Sequence, residues 1–289
     1  IGLALHNFLD ARGTFPSGSQ FKVWPGNPAH PQNFYRWSAL AELLPFVEQA
    51  REYDGLNLDW PLYSTTTSVS PPNSTSVART IASYLCPSDR AEPVTAVLGF
   101  PALQFGIGNY AFCTGTGLIE NGSAFDTDGM FFINSALKTK SVVDGLSKTV
   151  AASESLLGKP AAASGTPQNA QFVYAAMFGA PLTDTGCASP GGYNVSDPRG
   201  FSWANGEYRC GLFNNYLAPN SKTLDCLGFW LQPGPRLYTG WGWRTARSLH
   251  PGGVNAVLGD GSVQFYSDSV DLLLWRALST RAGNEAGSL

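Results

Sequence analysis

The chain has 289 residues, of which 43% are hydrophobic and only 13% are charged, against roughly 25% charged residues in an average soluble domain. Its net charge of −3 provides no basic stripe, which excludes an electrostatic groove for nucleic acid and a polybasic patch for membranes. Glycine (32 residues) and proline (20 residues) are plentiful, so the composition favours strands, turns and ordered loops around a real core.

The first predicted element is a helix at the start of the sequence. Ile1, Leu5 and Phe8 fall at i, i+4 and i+7 on one face, and Gly13 and Pro16 end the pattern. The sequence enters this pattern directly, without an initiator methionine, so we expect that a preceding segment was cleaved or omitted. No apolar run of 18 residues, the length that a membrane-spanning helix needs, occurs in the sequence.

A second helix is predicted over residues 35–53. Trp37, Leu40 and Leu44 share its apolar face, and Pro45 either kinks the helix or opens its second half. A polar loop follows, and a short helix is predicted from Ser76.

Short β-type runs broken by Gly, Asn and Pro come next, among them residues 130–133, 149–152 and 172–177. No internal repeat and no polar linker divides the chain. We therefore expect one domain of α+β class, with a helical part at residues 1–56 and an antiparallel β-rich head at residues 57–289.

The C-terminal part carries a strong hairpin signal. Residues 254–258 and 262–266 flank a Gly-Asp-Gly turn, and Asp-Gly tolerates the positive φ that such turns require. A final short helix is predicted over residues 272–278, with Asp268 or Ser269 available to cap it.

Five cysteines, Cys86, Cys113, Cys187, Cys210 and Cys226, contain no C-x-x-C pair, which disfavours a zinc knuckle or a thioredoxin-type site and favours disulfides. Cys86 with Cys113 is the first choice, because both flank the transition into the β-rich part. Cys226 with Cys187 or Cys210 is the second. One cysteine is left over, either free or paired outside this sequence, and the pattern indicates an exported protein.

Several short motifs follow one another along the chain. They are IGLALHN at residues 1–7 with GTFP at 13–16, LPFVEQ at 44–49, CPSD at 86–89, GNY at 108–110, DGLSKT at 144–149 ahead of Glu154, APN at 218–220, SLHPGGVN at 248–255 and DGSV at 260–263. This series resembles a family abundant in planctomycete-type bacteria, the prepilin-type proteins with an N-terminal cleavage and methylation signal and a C-terminal His-x9-Asp-Gly motif. The motif residues are His250, Asp260 and Gly261, with nine residues between His250 and Asp260.

The resemblance implies a pilin-like fold, in which an N-terminal helix, here cut short, packs on the head. The family's leader and its apolar helix of about 20 residues are not in this sequence. The resemblance further implies a structural subunit of an extracellular filament or a type II secretion-like pseudopilus. Its partners would be copies of itself or other pilin-like subunits, and the inner membrane through the missing helix. The expected location is the cell surface.

His250 and Asp260 also invite a catalytic or metal interpretation, because imidazole and carboxylate together can perform acid–base chemistry. The predicted hairpin places Asp260 at its tip and His250 before Pro251, so a structural pairing or a turn role explains both more economically. We therefore predict no catalytic residue and no enzyme.

Asp126 and Asp128 offer carboxylates at alternating positions before Gly129, as at the opening of a calcium loop. The downstream spacing of an EF-hand is missing, and an Asx turn is the simpler interpretation. Calcium is the one cofactor for which the sequence gives a hint.

Residues 106–111 fit the G-x-G-x-x-A dinucleotide pattern, but no hydrophobic strand precedes them and no helix can follow, so we predict no nucleotide site. Four tryptophans of the later half, Trp203, Trp230, Trp241 and Trp243, allow a rival function in which exposed rings stack on surface glycans. Burial in a β-rich core explains the same residues better.

Overall fold

The structure is a computed structural model that describes residues 1–66, 68–89, 105–163, 166–179, 181–194, 197–229 and 240–283. Its helices are α1 (Gly2–Arg12), α2 (Ala39–Leu43), α3 (Ala50–Asp54), α4 (Ser74–Val77), α5 (Asp184–Ala188) and α6 (Leu272–Ala277). Its strands are β1 (Tyr63–Thr65), β2 (Ser68–Val69), β3 (Tyr110–Cys113), β4 (Val150–Glu154), β5 (Tyr174–Phe178), β6 (Gly192–Tyr193), β7 (Leu212–Phe213), β8 (Asp225–Phe229), β9 (Trp241–Trp243), β10 (Gly253–Leu258) and β11 (Val263–Ser267). Among these helices, none has the length and apolar character required to cross a bilayer.

The strands form three sheets, and the fold is α+β. A five-stranded sheet has the order β11-β10-β4-β3-β7, a four-stranded sheet has the order β6-β5-β8-β9, and β1 pairs with β2. The expectation of an antiparallel head is wrong for two pairs, because β3–β7 and β5–β8 are parallel. Parallel pairs need long connections. The segments between β3 and β7 and between β5 and β8 are long enough to form such connections. No local sequence pattern predicts that these strands pair.

The main core joins the N-terminal helices to the larger sheet. Leu5 of α1 and Leu40 of α2 are fully buried in the same cluster as Phe112 of β3 and Ala152 of β4. A second cluster lies on the opposite face of the sheet, where Trp275 of α6 packs against buried residues of β3 and β10. The five-stranded sheet is therefore covered on both faces at its middle strand, β4, which is buried along its whole length.

The first helix ends as predicted, since Gly13 adopts the left-handed conformation (φ 75°) and its N–H bonds to Leu9 O. The single helix predicted over residues 35–53 is wrong. The chain breaks there into α2, a 3₁₀ turn at Leu44–Val47 and α3, because Pro45 lacks the N–H of a continuous helix and Glu48 has φ 60°.

The hairpin predicted near the end is present as β10 and β11, with Val257 opposite Val263 and Gly261 at φ 85°. The cap of α6 is Asp271, whose Oδ1 accepts from Leu274 N (2.9 Å), and not Asp268 or Ser269. Strands at residues 149–152 and 172–177 are confirmed by β4 and β5, whereas residues 130–133 contribute only an isolated bridge at Ile133.

The cysteines correct the first disulfide choice. Cys187 and Cys226 are bonded to each other, which confirms one of the two second choices. Cys86, Cys113 and Cys210 are free and buried, so the Cys86–Cys113 pair is wrong. Cys113 lies inside β3 within the second core cluster, while Cys86 faces a histidine.

Candidate functional site

Three side chains from distant parts of the sequence meet beside the end of β4. Cys86 follows the 3₁₀ turn Ala82–Tyr84, Glu154 is the last residue of β4, and His250 precedes β10. His250 Nε2 lies 2.9 Å from Glu154 Oε1 and 3.8 Å from Cys86 Sγ. The three donor atoms all lie within 4.8 Å of one another, and in the part of the chain that the structure describes no other group of three or more His, Cys, Asp or Glu residues has donor atoms this close together. We call these residues the Cys86 site.

The carboxylate of Glu154 is fixed by the neighbouring strand. Asn255 donates its main-chain N–H to Oε2 (2.7 Å) and its side-chain Nδ2 to Oε1 (3.2 Å). Because β4 and β10 are antiparallel partners, with Ala256 opposite Ser153, the sheet register itself brings Asn255 to Glu154. The carboxylate is therefore oriented before any ligand arrives.

A short hydrogen-bond chain positions His250. The main-chain N–H of His250 donates to Ser248 Oγ (3.1 Å), and that hydroxyl donates to Gly253 O (2.7 Å). Ser248 N in turn donates to Asn220 Oδ1 (2.9 Å). Gly252 turns the chain with φ 81°, a conformation that glycine adopts at little cost. The loop before β10 is therefore held at both ends.

The third residue, Cys86, is held by an amide. Its N–H donates to Asn109 Oδ1 (3.0 Å), and Asn109 Nδ2 donates to Asp89 Oδ2 (2.7 Å) and to Ser155 O (3.1 Å). Asp89 N closes a turn on Cys86 O (3.0 Å). The turn that carries the thiol is thereby tied to β3 and β4.

The Cys86 site is buried on the side of the thiol and the carboxylate and reaches solvent through the imidazole. The His250 side chain is 29% exposed and that of Glu154 is 7% exposed. Tyr110 lies nearby on β3. Burial, followed by the electrostatic effects of the neighbouring Cys86 and Glu154, raises the pKa of Tyr110 to about 12, so its hydroxyl stays protonated.

The geometry distinguishes two kinds of chemistry. In a Cys-His-acid relay the acid orients the imidazole through one ring nitrogen while the other nitrogen activates the thiol. Here Glu154 and Cys86 both approach the same atom, His250 Nε2. A sulfur, a nitrogen and an oxygen donor converging on one point instead have the character of a metal-ligand set.

A family model described as "Protein of unknown function (DUF1559)" matches residues 1–273. The chain belongs to this family. No curated protein and no solved structure matches the chain. The family match supports the resemblance drawn from the motifs at the level of the family, while the N-terminal cleavage signal and the His-x9-Asp-Gly signature stay predictions.

In this DUF1559 chain, the residues of the predicted C-terminal motif have different partners. His250 binds Glu154, whereas Asp260 Oδ1 accepts from Ser262 N (2.9 Å) and Ser262 Oγ (2.6 Å) at the hairpin tip. These bonds from Ser262 lower the pKa of Asp260. Gly261 lies next to α1, where a side chain at Gly2 would collide with Gly261 O. A turn role for Asp260 and Gly261 agrees with these contacts.

The partner of His250 could not be found from the motif, since Glu154 lies 96 residues away in sequence. The sequence motifs do contain the three residues of the site, because CPSD supplies Cys86, Glu154 follows DGLSKT, and SLHPGGVN supplies His250. The supporting residues Asn109 and Asn255 lie in GNY and SLHPGGVN. Only the strand order of the sheet shows that they meet.

Of the two predicted calcium ligands, Asp128 bonds to Thr116 of another loop. Asp128 Oδ1 accepts from Thr116 N (2.9 Å) and Oδ2 accepts from Thr116 Oγ1 (2.5 Å). Asp126 has φ 44°. A calcium role for Asp126 and Asp128 stays a prediction.

The other sequence signals belong to the core. The segment at residues 106–111 leads into strand β3 and not into a helix, and Gly106 packs against Arg79 O and Trp203. Trp203, Trp241 and Trp243 are all buried, and Trp230 lies outside the described residues.

Directly behind Glu154 lies a second polar group, which we call the Asp225 cluster: Asp225, Arg199, Arg244 and Arg247. Asp225 accepts from Arg199 Nη1 and from Arg247 Nη2 (2.8 Å), and all four side chains are buried. Burial would raise the pKa of Asp225, but Arg247 and Arg199 overcome it and hold that pKa below its usual value. Arg247 N donates to Glu154 O (3.1 Å), so the two groups share a backbone contact.

Proposed function

We propose that this chain is the globular head of a pilin-like structural subunit, which acts by self-assembly in an extracellular filament or a secretion pseudopilus and not by catalysis. The series of sequence motifs supports this proposal through its resemblance to prepilin-type proteins. The disulfide supports export, because disulfides persist in oxidising compartments outside the cytoplasm. The partners would be further copies of the chain or related subunits.

The observation that carries the proposal is an apolar edge formed by α1 and the C-terminal hairpin. Gly2 packs closely on Gly261, and His6 Nε2 donates to Gly259 O (3.1 Å), so the start of the helix is fixed to the hairpin. Leu3, which follows Gly2 on α1, is 75% exposed. The start of α1 therefore lies beside the β10–β11 hairpin, at the edge of the five-stranded sheet.

Strand β11 is the edge of the five-stranded sheet, and one of its faces is apolar. Val263 is 61% exposed and Phe265 is 53% exposed, and both point to the same face because side chains alternate along a strand. An apolar edge strand is a template for association with another chain. A neighbouring copy in a filament would cover this edge and the outer face of α1.

A surface-charge experiment on β11 tests the proposal. Val263→Lys combined with Phe265→Lys is expected to abolish filaments counted by negative-stain electron microscopy of the native cells, because two buried charges cannot be accommodated in an apolar contact. Gln264→Lys, on the same strand and the opposite face, is the matched control and should leave filament number unchanged. Normal filaments in the double variant, with normal subunit levels on blots, would contradict the proposal.

Among the residues that the structure describes, the glycan-binding alternative has no comparable support. It requires exposed, coplanar rings, whereas Trp203, Trp241 and Trp243 are buried. Trp24 and Trp60 are half-buried and contact each other with 50° between their planes, which does not form one flat platform.

A further inference from the structure

The three donors of the Cys86 site lie within 4.8 Å of one another, close to the spacing that a metal ion requires. Tetrahedral zinc, with bonds of about 2.0 Å to nitrogen and oxygen and about 2.3 Å to sulfur, places its ligand atoms about 3.3 to 3.6 Å apart. The observed separations are 3.8 Å from Cys86 Sγ to His250 Nε2 and 2.9 Å from His250 Nε2 to Glu154 Oε1. Both separations lie close to the required values.

The region beside His250 Nε2 is the position that a cation would take. It lies between the imidazole and the Glu154 carboxylate, with the thiol on its third side. A metal ion at this point displaces the thiol proton to solvent and binds Nε2 of the neutral imidazole, which keeps its one hydrogen on Nδ1, so that imidazole, carboxylate and thiolate each contribute a lone pair. Binding therefore releases a proton and weakens as the pH falls.

Surrounding groups orient these ligands in the manner of metal sites. Asn255 donates twice to Glu154, Ser248 fixes the backbone of His250, and Asn109 fixes the backbone of Cys86. Such supporting hydrogen bonds hold ligands in place and are worth 10- to 100-fold in metal affinity, as an order of magnitude.

Cys86 differs from the other two free cysteines. Cys113 and Cys210 are enclosed among core residues, and burial raises the pKa of each thiol to about 12. Cys86 stands beside an imidazole that is open to solvent. Cys113 and Cys210 are therefore core residues, whereas the Cys86 thiol lies beside the side chains of His250 and Glu154.

We propose that Cys86, Glu154 and His250 bind one divalent transition-metal ion of the zinc type. Solvent completes the coordination on the exposed side of His250. The ion links three segments that are 68 and 96 residues apart in sequence, so it staples the turn after Ala82–Tyr84 and the loop before β10 to the end of β4. This inference does not depend on the proposed filament role, and the two fail independently.

Cobalt and zinc titrations of the whole purified chain test the site. After removal of metal with a chelator, we expect one Co²⁺ per chain, with a thiolate-to-cobalt charge-transfer band and the intense visible bands of tetrahedral cobalt. Zn²⁺ should displace the cobalt and raise the melting temperature. Cys86→Ser is expected to remove the charge-transfer band and to weaken zinc binding at least about 100-fold, and Cys113→Ser is the control that should keep both.

A second pair of variants guards against misfolding of the cysteine variants. His250→Gln should weaken zinc binding by a similar factor, while His30→Gln, whose imidazole contacts Tyr63 O far from the site in sequence, should not. Circular dichroism checks that each variant is folded. Zinc affinity that is unchanged in folded Cys86→Ser or His250→Gln, or cobalt binding without the thiolate band, overturns the proposal.

Discussion

The Cys86 site and the Asp225 cluster are neighbours that share the end of β4, yet they are built in opposite ways. Asp225 has no exposure, and its carboxylate is occupied by Arg199 and Arg247. Glu154 receives two hydrogen bonds from Asn255 and faces an imidazole that reaches solvent. The Asp225 cluster is enclosed and its carboxylate is bonded to arginines, whereas the Cys86 site reaches solvent on one side.

This difference separates a structural role from a binding role. A buried charge whose partners are all protein groups can only stabilise or destabilise the fold. A pre-oriented carboxylate next to a thiol and an accessible imidazole can exchange a proton for a ligand. We therefore expect substitutions in the Asp225 cluster to change stability, and substitutions in the Cys86 site to change metal binding with little effect on stability.

Asp225→Ala should have the largest effect. It leaves the guanidinium groups of Arg199 and Arg247 buried without their carboxylate, which costs about 3 to 5 kcal/mol of unfolding free energy. Urea denaturation measures this loss. Asp10→Ala, an exposed substitution on α1, is the control and should change stability by less than about 0.5 kcal/mol.

The pH dependence gives a further check on Asp225. Its folded pKa lies below the usual value of 3.8, so its contribution is present above that pH and is lost as the pH falls through the folded pKa. The difference in stability between the native chain and Asp225→Ala should therefore shrink below about pH 4. A difference that stays constant to pH 2 would show that the carboxylate charge is not what matters.

The Cys187–Cys226 disulfide should have the next largest effect, and it acts on the same strand, because Cys226 follows Asp225 in β8. Closing a loop with a sequence separation of 39 stabilises the fold by about 2 to 4 kcal/mol in the loop-entropy account. Cys187→Ser with Cys226→Ser should show this loss in urea denaturation. Added reductant should destabilise the native chain and leave the double variant unchanged, and equal sensitivity of both would contradict the assignment.

His250→Gln, measured without metal, should have the smallest effect, about 1 kcal/mol. The imidazole is partly exposed, and Glu154 keeps both hydrogen bonds from Asn255, so no carboxylate is left unsatisfied. The measurement is urea denaturation in the presence of a chelator. A loss as large as that of Asp225→Ala would remove the distinction between the two groups.

The elements that could be predicted from the sequence are those with a local cause. The end of α1 at Gly13 follows from the left-handed glycine, and the β10–β11 hairpin follows from Asp260-Gly261 between two β-type runs. The prediction of one helix over residues 35–53 is wrong for a reason that is also local. Pro45 removes a helical hydrogen bond, and Glu48 then leaves the helical region altogether.

The sequence by itself determined the α+β class, the family, the buried tryptophans Trp203, Trp241 and Trp243, and the list of motif residues. The tertiary structure alone decided which of those residues meet. Cys86, Glu154 and His250 are brought together by the pairing of β4 with β3 and β10, and the parallel pairs β3–β7 and β5–β8 set the rest of the frame. Periodicity and turn chemistry act over a few residues, whereas strand order is selected by the burial of the whole core. That is why the motifs appeared as separate signals along the chain and form one site only in the fold.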